Sequence, residues 1–413
     1  MLATLIPLFD HTMSVCAYSV FAQKENYLLN PRMLGMGRFD GASNVIGFEL
    51  IENMGLETVA GDKLVFVELN NISFFAEIAE QCDAPHDRVV LVLDQEIPAE
   101  DRYIDRIQEL KDQGYKFAIR KLSVNRFEEY REILKRMDFI MLNHKRIDIG
   151  KAKVYFSKVY PQIKLVAVNV DSQDEYDRLK EGGGYDLYEG EFFRMPVKKG
   201  TEDIAPLKVN YLELLRVVND IDFDLSDAAE VIERDPALVL SMLEMVNRMT
   251  VNAGIKDVKH AAAMLGQREL KRWINTAATK ELCVDRPSEI MRMAMIRARF
   301  AENLAPVFHM ASQSSELFLM GLFSVLDVII EKPMMVALDM VRVSKEIRSA
   351  LLERNGPFAG LYDFMLHYET ASWQEVSRLM VVGDIEIDPV YEAYVEALKW
   401  FRNLFAPEEE LKR

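Results

Sequence analysis

Along the first half of the chain, short β-branched apolar runs alternate with segments whose apolar residues recur at helical spacing. The runs predict strands over 15–21, 64–69, 89–94, 116–121, 138–143, 165–170 and 185–193. Helical patterns lie between them at 102–113, 126–136 and 174–180. Val89-Val90-Leu91-Val92-Leu93 is apolar on both faces, as strands are when neighbours and helices wall them in. Repeated βα units over about 200 residues predict a closed, TIM-like α/β barrel. Two helix starts are marked: Ser172 with Glu175 at capping-box spacing, and Asn125 with Glu128 at the third position.

After residue 196 the texture changes. The stretch 197–203 is polar and Pro206 follows it, so the boundary is expected there, between a barrel domain over 1–200 and a helical domain over 206–406. From 207 to 405 the pattern is helical almost throughout. Asp235-Pro236 reads as an N-cap followed by proline at the first helical position. Asn252-Ala253-Gly254 breaks the chain, Gly266 separates two further helices, and Ser372 with Glu375 forms another capping box. Ten or more helices are expected, so the fold class is α/β plus all-α.

Composition narrows the function. Half of the 413 residues are hydrophobic, as in globular chains. The formal net charge is −16: 26 Lys and Arg stand against 34 Asp and Glu in 1–206, and 24 against 32 in 207–413, so each half carries −8. Nucleic-acid readers gain most of their affinity by neutralising phosphates through a basic stripe, and none is visible. Cys16, Cys82 and Cys283 form no CxxC pair and indicate neither a zinc site nor a disulfide framework. The N-terminus lacks a basic signal-peptide region, and the longest apolar stretch, 317–330, contains Ser324 and Asp327. A cytoplasmic protein without membrane contact is expected.

The segment Gly184-Tyr185-Asp186-Leu187-Tyr188-Glu189-Gly190, closed by Pro196, resembles the G-x-D-x-x-Q-G signature that ends EAL domains. Earlier landmarks agree in order. Ile6-Pro7-Leu8-Phe9-Asp10 is similar to the opening Q-P-I-x-D segment, Ala17-Tyr18-Ser19-Val20-Phe21 stands where the family has Y-E-A-L, and Ala167-Val168-Asn169-Val170-Asp171-Ser172 matches A-E-x-V-E-T. The second half resembles HDOD domains through Leu214-Leu215, Glu233-Arg234-Asp235-Pro236-Ala237-Leu238, Met245-Val246-Asn247 and Leu265-Gly266. The joint resemblance is to bacterial EAL–HDOD signalling proteins and covers nearly the whole chain.

Active EAL domains hydrolyse cyclic di-GMP with two divalent metals held by carboxylates, because hard cations need oxygen ligands to activate water and stabilise the leaving oxygen. Carried over residue by residue, the resemblance implies that this chemistry is lost. The defining glutamate is Ser19, the ligand asparagine falls at Glu68, and the third-strand glutamate aligns with Val92. The aspartate pair is Arg120-Lys121, the K-x-D positions are Met141 and Asn143, and A-E-x-V-E-T keeps only Asp171, with Val168 at its first glutamate. Two positive charges about 4 Å from a metal would each oppose it by several kcal/mol even at an effective dielectric near 20. The ligand-contacting glutamines fall at Ile6 and Glu189. Arg120 and Lys121 are expected either to pair with Glu68, Asp171 or Glu189, or to hold a phosphate. Ser324-Val325 stands where the HD relatives of the HDOD fold place His-Asp, and Asp327 alone assembles no metal site.

No catalytic, metal or cofactor-binding residue is therefore expected, and any ligand-binding set stays open. The six histidines (His11, His86, His144, His260, His309, His367) form no HxxH or HExxH arrangement, and His144-Lys145-Arg146 reads as a solvated loop. Methionines cluster at 242–249, 291–295 and 334–335, which suits either core filling or adaptable surfaces. The expectation is an inactive regulator that works through signalling-protein partners, with a homodimer plausible. The alternative is a cyclic di-GMP receptor that does not hydrolyse its ligand.

Overall fold

The computed structural model of the chain describes residues 1–26, 28, 44–194, 206–220, 222–249 and 257–405. The expected boundary at 197–203 and the break at Asn252-Ala253-Gly254 lie outside the described residues. The chain divides into two compact units, one of residues 1–195 with 366–413 and one of 196–365.

In the first unit eight strands close a barrel in sequence order: β1 (Leu2–Phe9), β2 (Val15–Gln23), β3 (Leu64–Glu68), β4 (Val89–Leu93), β5 (Lys116–Arg120), β6 (Phe139–Asn143), β7 (Lys164–Val170) and β8 (Leu187–Gly190). Strands β2 to β8 are parallel, whereas β1 runs antiparallel to both of its neighbours. Seven of these strands fall on the predicted runs. The eighth, β1, lies outside the predicted runs; Pro7 interrupts it, and a proline weakens the signal of a strand. Pro7 is tolerated there: β8 pairs only Leu8 and Phe9, which leaves the proline outside that ladder. Period-two alternation sends Leu8, Ala17, Phe66, Val90, Ala118, Phe139, Val166 and Leu187 into one buried cluster inside the barrel.

The helices between the strands are α1 (Ile46–Met54), α2 (Leu56–Ala60), α3 (Asp101–Asp112), α4 (Arg131–Leu134), α5 (Ile149–Val159) and α6 (Gln173–Gly182). Ser172 caps α6 by accepting from the Glu175 N–H, while the Glu175 carboxylate reaches back to the Asp171 N–H at 2.9 Å. The helix predicted over 126–136 is shorter than expected. Residues 124–126 form a 3₁₀ turn instead, and the Tyr130 hydroxyl, within reach of the Gln95 and Ile97 carbonyls, pins the chain before α4 begins. Asn125 lies inside that turn and caps no helix.

The second unit is helical: α7 (Pro206–Val218), α8 (Leu225–Ile232), α9 (Pro236–Met249), α10 (Val258–Leu282), α11 (Ser288–Leu304), α12 (Ser314–Phe323), α13 (Leu326–Ile330), α14 (Met334–Val341), α15 (Lys345–Glu353) and α16 (Ala359–Glu369), the last crossing into the first unit. Asp235 caps α9 through the N–H groups of Ala237 and Leu238. Gly266, at φ +71°, kinks α10 as its position predicted. Helices α11 and α12 pack so closely that a Cβ on Gly321 would lie 2.4 Å from the Arg297 carbonyl oxygen. The apolar stretch 317–330 is buried almost throughout, and no helix among the described residues is long and apolar enough to cross a membrane. Met242, Met293 and Met295 are core residues, while Met335 is exposed.

The helical half does not run to 406 as one body. The end of α16, α17 (Trp373–Gly383) and α18 (Ile387–Phe405) group with the barrel. The physical reason lies at β1. The Ala3 N–H donates to the buried Tyr368 hydroxyl at 3.2 Å, and the Tyr394 hydroxyl lies 3.4 Å from Thr4 Oγ1. Gln23 and Asn26 reach Ser377, and the rings of Trp373 and Tyr394 pack on Tyr368. Ser372 does not cap α17 with its side chain; its hydroxyl is engaged with Thr370 Oγ1 at 2.9 Å.

Candidate functional site: the barrel mouth

Barrels of this architecture place their chemistry where the parallel strands end. The positions singled out above converge there. Ala17, Phe66, Ala118 and Leu187 point into the barrel, so Ser19, Glu68, Arg120 and Glu189, each two residues further along, face the mouth. Ile6 pairs with Ser19 across β1 and β2. Val92, Met141 and Val168 belong to the buried interior cluster and offer no donor atom at the mouth.

Arg120 is the centre of the arrangement. Its Nη1 lies 2.5 Å from Glu68 Oε1 and its Nη2 lies 3.3 Å from Glu189 Oε1. Ser19 Oγ donates to the other oxygen of Glu189 at 2.8 Å. The Phe21 ring stands 5.1 Å from the guanidinium carbon, close enough for a cation–π contact. The side chains of Arg120 and Glu189 are only 12% and 8% exposed, whereas Glu68 is 46% exposed. Burial disfavours the charged guanidinium, but the two carboxylates outweigh it and hold the Arg120 pKa above its ordinary value.

Lys121 and Asp171 take no part in this cluster. Lys121 sits in the left-handed region at φ +58°, with an exposed side chain. Asp171 pairs with Lys145 instead. Lys145 therefore has a fixed partner. The side chain of its neighbour His144 is withdrawn from solvent, its Nδ1 3.0 Å from the Val168 carbonyl and its Nε2 3.7 Å from Glu175. Of the pairings expected for Arg120 and Lys121, those of Arg120 with Glu68 and Glu189 form. The remainder do not: Lys121, at positive φ just past β5, keeps an exposed side chain, and Asp171 is taken by Lys145.

The donor set does not fit a pair of divalent cations. Two such ions require several free oxygen ligands. Of the carboxylates at the mouth, Glu68 and Glu189 both accept from Arg120, whose positive charge opposes a cation beside it. Among the described residues no group of three or more His, Cys, Asp or Glu side chains is placed to hold a metal ion. A cavity of about 200 Å³ at the rim is lined by Glu68, Asp94 and Glu96 with Asn70, Asn71 and Ser73, and among the described residues by no Lys or Arg.

In the helical unit, Ser324 is buried, receives a hydrogen bond from Arg297 Nη1 at 2.9 Å and donates to the Gly321 carbonyl. Cys82 and Cys283 are buried, Cys16 is partly so, and burial pushes the Cys283 thiol up to about 12. The Ser19–Glu189 hydrogen bond was not anticipated. Its two members are 170 residues apart, and only their shared level at the mouth brings them together.

Residues 204–337 match the family model of the HDOD domain. Over 326 residues the chain is 24% identical to the cyclic di-GMP phosphodiesterase CdgJ of Vibrio cholerae, covering 78% of this chain and 74% of that protein. Over 412 residues it is 25% identical to the uncharacterized protein YuxH of Bacillus subtilis, covering 96% and 97%. Among solved structures it is similar to a standalone EAL protein of Vibrio cholerae O395 in its c-di-GMP-bound form. That match has 17% identity and a TM-score of 0.35, over 46% of this chain and 90% of that one.

Proposed function

We infer, from the premise that this chain is an EAL–HDOD protein, that it is a regulator in cyclic di-GMP-related signalling whose barrel has no phosphodiesterase activity. It acts in the cytoplasm by binding signalling proteins, as a monomer or a homodimer, without membrane or nucleic acid. The observation that carries the reading is the Arg120 guanidinium held by Glu68 and Glu189 at the mouth. A permanent positive charge stands where a metal centre would need carboxylates, and it engages Glu68 and Glu189. The similarity to CdgJ supports the signalling context, while these substitutions argue against carrying its activity across.

The test is incubation of the full chain with cyclic di-GMP and Mg²⁺ or Mn²⁺, with CdgJ alongside, following heat and linear dinucleotide together. No product is expected, and turnover would overturn the reading. The receptor alternative is weaker because an anionic dinucleotide would meet Glu68, Asp94 and Glu96 at the rim, and Arg120 is already engaged. Saturable heat without product would favour it. Affinity capture with the full chain then addresses the partner.

A further inference from the structure

The helical unit encloses a cavity of about 760 Å³ among the end of α7, the middle of α10, and α12, α14 and α15. Its size lies in the range of small-molecule sites. Phe223, Phe318, Leu319, Leu338 and Ile347 supply apolar walls. Several cations line it, and most are neutralised in place. Arg342 pairs with Asp220, Arg348 lies 2.5 Å from Asp339, and Arg272 bridges Glu269 and Glu302.

Lys271 and Arg268 differ. They sit three residues apart on α10, and among the described residues neither has a carboxylate within ion-pair distance; Glu316, also in the lining, acts on Lys271 only through its field. Lys271 is half-buried, and desolvation pulls its pKa below the ordinary lysine value in spite of Glu316. The kink at Gly266 adds a third feature. It restarts the helix at Gln267, so the positive end of the segment 267–282 opens on the same cavity. An incompletely paired ammonium, a guanidinium and a helix N-terminus thus converge on one side of an apolar chamber.

We propose that this cavity is a binding site for a small organic anion, with its phosphate, sulfonate or carboxylate head at Lys271 and Arg268 and its apolar body against Phe223 and Phe318. The site is independent of the barrel mouth and does not rest on the reading given for it. Occupancy would tie together five helices of the unit, which gives a small molecule a means to act on this half of the protein.

The probe is 8-anilinonaphthalene-1-sulfonate, which joins a sulfonate to an aromatic body, titrated into the full-length protein by fluorescence. The uncharged N-phenyl-1-naphthylamine serves as its control. Saturable one-to-one binding of the sulfonate is expected, weakened at least tenfold by Lys271→Met and severalfold by Arg268→Gln. Lys271→Arg should retain it, and the neutral probe should bind the Lys271→Met variant as it binds the parent. Should Lys271→Met lose its helical circular dichroism, Arg268→Gln, on an exposed side chain, gives the reading alone. Binding that does not saturate, that ignores both substitutions, or that falls equally for both probes would overturn the proposal.

Discussion

Arg120 Nη1 lies 2.5 Å from Glu68 Oε1, on an adjoining level of the barrel mouth, and its other arm reaches the buried Glu189. The two carboxylates are not equivalent. Glu68 is half-exposed, and an ion pair in contact with water contributes little. Glu189 is almost wholly buried, so the stake in the cluster lies with it.

Arg120→Met is therefore expected to destabilise the barrel unit by about 3–5 kcal/mol, because it leaves the Glu189 charge buried without its cation. Arg120→Met with Glu189→Gln should recover most of that loss. Urea denaturation of the single and double variants measures both. A single variant as stable as the parent would mean that water reaches Glu189 once the arginine is gone.

Lys121→Gly is expected to stabilise the protein by about 0.5–1 kcal/mol. Lys121 occupies the left-handed region at φ +58° with its side chain exposed, and glycine meets no Cβ penalty there. The gain should appear as a higher denaturation midpoint with an unchanged slope.

Gly321→Ala is expected to cost about 1–3 kcal/mol or more through overpacking. The added methyl would meet the Arg297 carbonyl, which is backbone and cannot swing aside. Thermal unfolding of the full chain should show the loss.

Glu175 carries a pH signature. The Asp171 N–H, with help from Lys145 and His144, lowers its pKa from the model-peptide value of 4.5, against the opposing effect of burial. A carboxylate lowered on folding adds stability that is fully present above its unfolded value and is lost as pH falls through the folded one. Glu175→Gln should therefore flatten the acid side of the stability profile below about pH 4.5, while changing little of its slope above neutrality. An unchanged acid limb in denaturation curves taken between neutrality and acid would show that the interaction is absent in solution.

A fragment ending at residue 200 should be less stable than the barrel in the full chain. It lacks Tyr368, whose hydroxyl takes the Ala3 N–H, and the aromatic packing of Trp373 and Tyr394 around it. Adding residues 366–413 in trans should raise its melting temperature, and a fragment as stable as the full chain would place those helices outside the unit.

The pattern of residues along the chain was enough to determine seven of the eight strands, the closed barrel, the helical second half and the kink at Gly266, because each depends on spacing over a few residues. That Ser19, Val92, Arg120 and Val168 stand at the family's ligand positions, and Met141 at its catalytic lysine, is what the resemblance alone implies, since it compares residue type position by position. What only the tertiary structure decided involves partners far apart in sequence. Arg120 selects Glu68 and Glu189 while Asp171 goes to Lys145, because barrel closure brings together side chains of strands far apart in sequence, which no local pattern encodes. The helices after residue 366 join the barrel for the same reason. An amphipathic helix announces that it has an apolar face, but the surface that face will cover, here the start of β1, is set by the packing of the whole unit.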